Sequence, residues 1–164
     1  MKFIVLSDSH GDTVTVKEIS ALQADGIFHC GDSELPAAHP LLTNLHIVRG
    51  NCDRDTRFPA SLAVKAGGEK VLIVHGHEHS IKSSLLALSY AAAEQQATIA
   101  LFGHSHLYGA EMIEGVLFVN PGSTAQPRGG REATYAVIET ANEKYTVGFY
   151  DMQHTLIDQT ELIK

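Results

Sequence analysis

Seven side chains able to hold a metal ion punctuate the first two thirds of this chain: Asp8, His10, Asp32, Asn51, His75, His104 and His106. They sit in five short motifs, Asp8-x-His10, Gly31-Asp32, Gly50-Asn51, His75-Gly76 and Gly103-His104-Ser105-His106, each closing an apolar run. The set mixes oxygen and nitrogen donors and is large enough for two divalent ions. Two such ions near neutral pH point to phosphate ester chemistry. Imidazole combined with carboxylate suits manganese, iron, zinc, cobalt or nickel better than magnesium or calcium, which prefer all-oxygen shells.

Each motif also has a plainer reading. Asp8 and His10, two apart, point to one side of an extended chain end, but an Asp or Ser there could equally cap a following helix. Asp32 beside Gly31 is an ordinary turn aspartate when taken alone; as a lone carboxylate with free approach it is the candidate bridge between two ions about 3.5–4 Å apart. Gly50-Asn51-Cys52-Asp53 offers a carboxamide oxygen, yet Asn-rich turns are common for backbone reasons. Paired imidazoles, His75 with His77 and His104 with His106, are harder to explain structurally. The decisive feature is the shared address, since every motif follows a predicted strand.

Those strands come from continuous apolar runs: Phe3 to Leu6, Gly26 to Cys30, Leu45 to Val48, Val71 to Val74 and Ile99 to Phe102. Val16, Ile19 and Leu22 repeat at helical spacing from Asp12 or Thr13, either of which can cap the helix. Ser61 to Val64 and Val71 to Val74, joined through Gly67-Gly68, read as a hairpin. The spacing of Ile81, Leu85, Leu88 and Ala92 predicts a helix from Ser80 to about Gln96. Val116 to Val119, Thr134 to Ile138 and Tyr145 to Tyr150 form a second half that looks antiparallel. The expected architecture is mixed α/β (α+β), two packed sheets flanked by helices, with ligands at the carboxyl edge of the strands.

Composition narrows the function classes. A chain of 164 residues, 44% of them hydrophobic, suits one domain spanning 1–164. Its net charge of −7 disfavours general nucleic-acid or membrane-surface binding, because phosphate backbones recruit Lys and Arg. Bound cations could still attract a small phosphoester locally. The opening apolar run is too short for a signal-peptide core or a membrane span. Cys30 and Cys52, both in motif-bearing turns, offer no disulfide framework, so a reducing cytoplasm is expected. Four of the ten histidines lie in the motifs, and His77 directly follows one of them. The apolar strands of the second half leave self-association as a homo-oligomer open.

The ordered motifs Asp-x-His, Gly-Asp, Gly-Asn, His-Gly and Gly-His-x-His resemble those of the calcineurin-like metallophosphoesterase superfamily. Asn120-Pro121-Gly122-Ser123 with Pro127-Arg128 is similar to its small single-domain bacterial and archaeal phosphodiesterase branch. The resemblance runs from residue 4 to about 128. It implies a four-layer αββα sandwich and a phosphodiesterase with two divalent ions, manganese foremost. By that resemblance Asp8, His10 and His106 hold one ion, Asn51, His75 and His104 hold the other, and Asp32 bridges them. A hydroxide shared by two cations is a nucleophile at neutral pH, and both ions neutralise the phosphoryl oxygens.

Where many members carry a histidine after Gly-Asn to protonate the leaving group, this chain has Cys52. A thiol with a reference pKa of about 8.5 substitutes poorly for an imidazole near 6.5, although the small phosphodiesterase branch also tends to have Cys there. His77 is the expected replacement acid. Ser33-Glu34-Leu35 stands where protein Ser/Thr phosphatases carry Asp-Arg-Gly, so that activity is disfavoured. Arg54, Arg57, Arg128 and Arg131 are the nearest cations, with Arg54 and Arg128 the candidate phosphate contacts. The competing readings are a phosphomonoesterase, a nuclease for short oligonucleotides, and a non-catalytic scaffold or protein-interaction module like the family's retromer-associated relative.

Overall fold

The computed structural model describes residues 1–164. Two mixed sheets pack face to face. The first is built from β1 (Lys2–Leu6), β2 (Gly26–His29), β3 (His46–Ile47), β9 (Tyr135–Thr140), β10 (Lys144–Tyr150) and β11 (Leu156–Ile163), in the order β11-β10-β9-β1-β2-β3. The second holds β4 (Ser61–Ala66), β5 (Glu69–Val74), β6 (Ile99–Leu101), β7 (Tyr108–Ile113) and β8 (Val116–Pro121), in the order β4-β5-β6-β8-β7. Helix α1 (Thr13–Ser20) covers the first sheet and α2 (Leu86–Glu94) the second.

Alternation along β1 shows how the layers form. Phe3 and Val5 face the other sheet and join the central core with Val71, Ile73, Ile99 and Leu101. Ile4 and Leu6 face outward against Val16 and Ile19 of α1. On the opposite flank Leu72, Val74 and Phe118 meet Leu88 and Ala92 of α2. Strands buried on both faces need no polar alternation, which is why they read as unbroken apolar runs. The expected αββα sandwich is therefore observed.

The parallel trios fix the site. β1, β2 and β3 run parallel, as do β5, β6 and β8. Parallel strands bring their carboxyl ends to one edge, where Asp8, Asp32, Asn51, His75 and His104 all follow.

Several expectations need correction. The helix foreseen from Ser80 begins only at Leu86. Residues up to Ser84 form turns, with Ser80 left-handed at φ +52° and its carbonyl accepting from the amides of Ser83 and Ser84. Gln96 at φ +53° ends that helix with a left-handed residue. The strand foreseen over Leu45 to Val48 shrinks to His46–Ile47. The second half is not wholly antiparallel, since β8 runs parallel to β6, and β7 and β11 were not foreseen. The hairpin through Gly67-Gly68 forms as expected. No helix is long and apolar enough to cross a membrane.

Candidate metal centre

Five of the seven candidate ligands have a left-handed backbone: Asp8 (φ +53°), His10 (+44°), Asp32 (+55°), His104 (+66°) and His106 (+61°). Asp and His tolerate this region better than most residues, but each costs on the order of 1 kcal/mol. The chain after β1 is therefore not extended, as the sequence pattern had implied. Tight turning, not strand alternation, brings Asp8 and His10 together. Asp12, not Asp8, caps α1, accepting from the amides of Val14 and Thr15.

Backbone bonds between turns hold this strain. The Asp8 amide donates to the Gly31 carbonyl at 3.0 Å, His10 to Asp32 at 3.0 Å, and Gly103 to His75 at 2.9 Å. Asp53, buried beside them, accepts from the amides of Asp32 (2.8 Å), Glu34 (2.7 Å) and Gly50 (2.7 Å) and from the Ser33 hydroxyl (3.2 Å). One carboxylate thus ties the Asp32 turn to the Asn51 turn. Asn120 donates to the Gly103 carbonyl and the Ser105 hydroxyl, and Ser123 to the Asp8 carbonyl at 2.7 Å. A Cβ at Gly103 would strike the Ser7 hydroxyl and the Asp8 carboxylate, so only glycine lets β6 end that close to β1.

The donor atoms converge. Asp8 Oδ1 lies 3.1 Å from His106 Nε2 and 3.9 Å from both His10 Nε2 and His75 Nε2. His75 Nε2 also faces Asp32 Oδ2 at 3.2 Å and Asn51 Oδ1 at 3.1 Å. Two sets of three share Asp8, Asp8–His10–His106 and Asp8–Asp32–His75, and a third set, His10–Glu34–Cys52, adjoins them. The far ring nitrogens are spoken for: His75 Nδ1 donates to the Cys30 carbonyl at 2.7 Å, and His106 Nδ1 to the Gln126 carbonyl at 2.6 Å. Such bonds leave the Nε2 lone pairs of both rings pointing inward. Buried Asp8 Oδ1 and His10 Nε2 have no hydrogen-bond partner. Lone pairs facing lone pairs in a buried space require a cation or a proton between them, so these residues fit divalent metal.

Proton affinities report the same field. Burial works to raise the Asp8 carboxyl, but His106, His75 and Ser7 overcome it and hold it below the ordinary range. Burial likewise works to raise the Asp32 carboxyl, but His75 and the Cys52 amide overcome it and hold it well below the ordinary range. His106 is raised by the Asp8 carboxylate beside it; His75 is raised by Asp32 and Asp8 against its burial. His29, fully buried, is pushed down to about 4 by burial. Its Nδ1 accepts from the Gly31 amide and its Nε2 pairs with Ser9, so it braces the turn and takes no part in binding.

Of the remaining candidates, His104 donates its amide to Asp8 Oδ2 at 3.1 Å, and its ring lies 5.1 Å from that of His75. It stands outside all three sets, and burial and His75 push it down to about 4. His77 lies 6.2 Å from His104, ring to ring, and burial with His75 lowers it. The Cys52 amide donates to Asp32 Oδ1 at 2.7 Å, while burial and Asp32 push its thiol up to about 11. Arg54 lines a pocket with Cys52, and Arg128 follows the His106 loop, its amide on the His106 carbonyl. Arg57 pairs with Asp55 at 2.6 Å, and Arg131 lies over the Tyr108 ring, so both are engaged elsewhere. Sequence reading missed Asp53, His29 and Glu34. Only Asp53 left a trace, as the one acidic residue of the Gly50-Asn51-Cys52-Asp53 turn.

Known proteins resemble this chain over most of its length. Residues 1–143 match the model of the calcineurin-like phosphoesterase superfamily domain. A probable metallophosphoesterase, YsnB, from Bacillus subtilis is 40% identical over 164 residues, covering 98% of this chain and 97% of its own. The crystal structure of a predicted phosphoesterase from Streptococcus pneumoniae superposes with a TM-score of 0.96 at 37% identity, covering 99% of this chain and 97% of its own. Vacuolar protein sorting 29 from Cryptosporidium parvum shares the fold, with a TM-score of 0.81 at 18% identity, covering 99% and 98%.

Proposed function

The chain belongs to the calcineurin-like phosphoesterase superfamily, and from that premise we propose that it is a two-metal phosphodiesterase acting on small or nucleotide-like phosphoesters in the cytoplasm. The observation that carries this reading is two adjacent donor sets, one containing His106 and one containing His75, with the Nε2 lone pairs of both rings turned inward. Asp8, His10 and His106 would hold one divalent ion; Asn51, His75 and His104 would hold the other; Asp32 would join them. Manganese is the first candidate, with nickel, iron, zinc and cobalt behind it. Bound there, such ions supply Lewis acidity toward phosphoryl oxygens and a water-derived nucleophile at neutral pH.

The chain's own residues do the rest. Buried Asp53 and Ser123 keep the donors placed. Cys52 keeps its proton at neutral pH and is too weak an acid to serve a poor leaving group. His77, partly exposed beside His75, takes that role. Arg54 and Arg128 orient the phosphate. Two unpaired thiols, Cys30 and Cys52, suit a reducing compartment.

Manganese-reconstituted protein should bind two ions per chain and hydrolyse bis-p-nitrophenyl phosphate faster than p-nitrophenyl phosphate. The reverse preference would make it a phosphomonoesterase. The fold likeness to vacuolar protein sorting 29 supports a second reading, a scaffold without chemistry. Fewer than one ion per chain, with no hydrolysis after manganese addition, would establish that reading instead.

A further inference from the structure

A pocket of about 540 Å³ opens beside the metal centre, lined by Glu34, Leu35, Pro36, Cys52, Arg54 and Asp55. Glu34 and Cys52 form the wall between the two spaces, because donor atoms of His10, Glu34 and Cys52 lie within 4.8 Å of one another. Charge within the pocket is uneven. The Asp55 carboxylate is paired with Arg57 and also accepts from the Ala37 amide. Arg54 has no carboxylate partner. Glu34 Oε1 stands 3.6 Å from His10 Nδ1, outside hydrogen-bond reach, and its carboxylate accepts no hydrogen bond. The side chain is 41% exposed, yet its left-handed backbone (φ +55°) is pinned by the amide bond to Asp53. A strained glutamate fixed at the mouth of a site is an outlier that calls for a functional account.

Resting on the phosphoesterase reading above, we propose that this pocket receives the second esterifying group of a phosphodiester, and that the Glu34 carboxylate turns away phosphomonoesters. A diester carries one negative charge. A monoester near neutral pH carries close to two, since its second pKa is about 6. The extra charge would face Glu34 across a partly desolvated gap, where like charges repel more strongly than in water. The Leu35–Pro36 wall offers the ester group of a diester an apolar lining that a monoester cannot use.

The test measures dissociation constants on manganese-loaded protein by titration calorimetry, with phenyl phosphate as the dianion and diphenyl phosphate as the monoanion. Glu34→Gln should move the ratio of the two constants about tenfold toward phenyl phosphate. Glu34→Ala should move it in the same direction. Leu35→Ser should weaken diphenyl phosphate more than phenyl phosphate. A ratio that shifts less than twofold in both Glu34 variants overturns the proposal. So does a loss of bound manganese in Glu34→Gln with both esters weakened alike, which would make Glu34 a ligand. Wild-type protein that binds the esters in the expected order but hydrolyses neither leaves the pocket standing and removes the catalytic reading. Hydrolysis of diesters with an unmoved ratio does the opposite.

Discussion

Asp8 Oδ1 is a buried carboxylate oxygen with no hydrogen-bond partner and three imidazole Nε2 atoms within 3.9 Å. Burying such a group without compensation costs several kcal/mol, which is why the residue points to cation binding more firmly than its motif does. Asp32 differs: one oxygen is held by the Cys52 amide and the other faces His75. If it joins two ions, Asp32→Asn should lower kcat/KM for bis-p-nitrophenyl phosphate in manganese by about 100-fold or more, whereas Asn51→Ala should weaken one site about tenfold. Near-normal hydrolysis by Asp32→Asn would rule the joining role out. His77→Ala should slow esters with poor leaving groups about 100-fold while sparing p-nitrophenyl esters; equal effects on both would remove it as the acid. Imidazole ligands must be neutral to bind metal. His75 and His106 are held above the ordinary imidazole value, so activity should begin to fall above about pH 6.5 as the pH is lowered, and added manganese should move that limb to lower pH. A limb that ignores manganese concentration would mean the ligand protons are not what titrates.

The elements hold these residues through backbone bonds that leave little mark in the sequence. Asp53→Ala should show this, since it strips acceptors from the Asp32, Glu34 and Gly50 amides at once. A loss of about 2–3 kcal/mol in stability should accompany manganese binding weakened about 10- to 100-fold, measured by denaturant unfolding and by calorimetry. Intact manganese affinity would show that the turns hold their shape without it. The strands were legible because doubly buried runs such as Ile99–Leu101 are apolar throughout. The ligands were legible because each follows such a run. The helix foreseen from Ser80 was too long because Ile81 fits a helical period while packing as a turn residue against Gly76. β11 escaped notice because five of its eight residues are exposed, with Asp158, Gln159 and Glu161 interrupting any apolar pattern. Asp53, Glu34 and His29 could not be assigned at all, since their partners are amides or residues brought close only by folding.

At the scale of the whole molecule the two sheets are joined at opposite ends by different chemistry. One end is the donor cluster, with Asp8, His10 and Asp32 from the first sheet and His75, His104 and His106 from the second. A ligand held across that seam stabilises both halves, by about 2.7 kcal/mol at a concentration 100 times its dissociation constant. At the other end Glu69, at the start of β5, accepts from Thr98 (2.7 Å), from Tyr145 on β10 (2.9 Å) and from Lys164 beyond β11 (2.6 Å), and the Lys164 ammonium lies over the Tyr145 ring. Burial would raise the Glu69 carboxyl, but Lys164, Thr98 and Tyr145 outweigh it and hold the folded pKa below the ordinary 4.5. A depressed folded pKa contributes stability that is present above the unfolded value and fades as pH falls through the folded one. Glu69→Gln should therefore cost about 2 kcal/mol at neutral pH, and the gap from wild type should narrow only below about pH 4.5. Manganese affinity should not move, because the substitution lies at the far end of the sandwich. Urea unfolding of both proteins across pH 7 to 3 measures this, and a gap that stays constant over that range would show that the Glu69 charge does not tie the sheets.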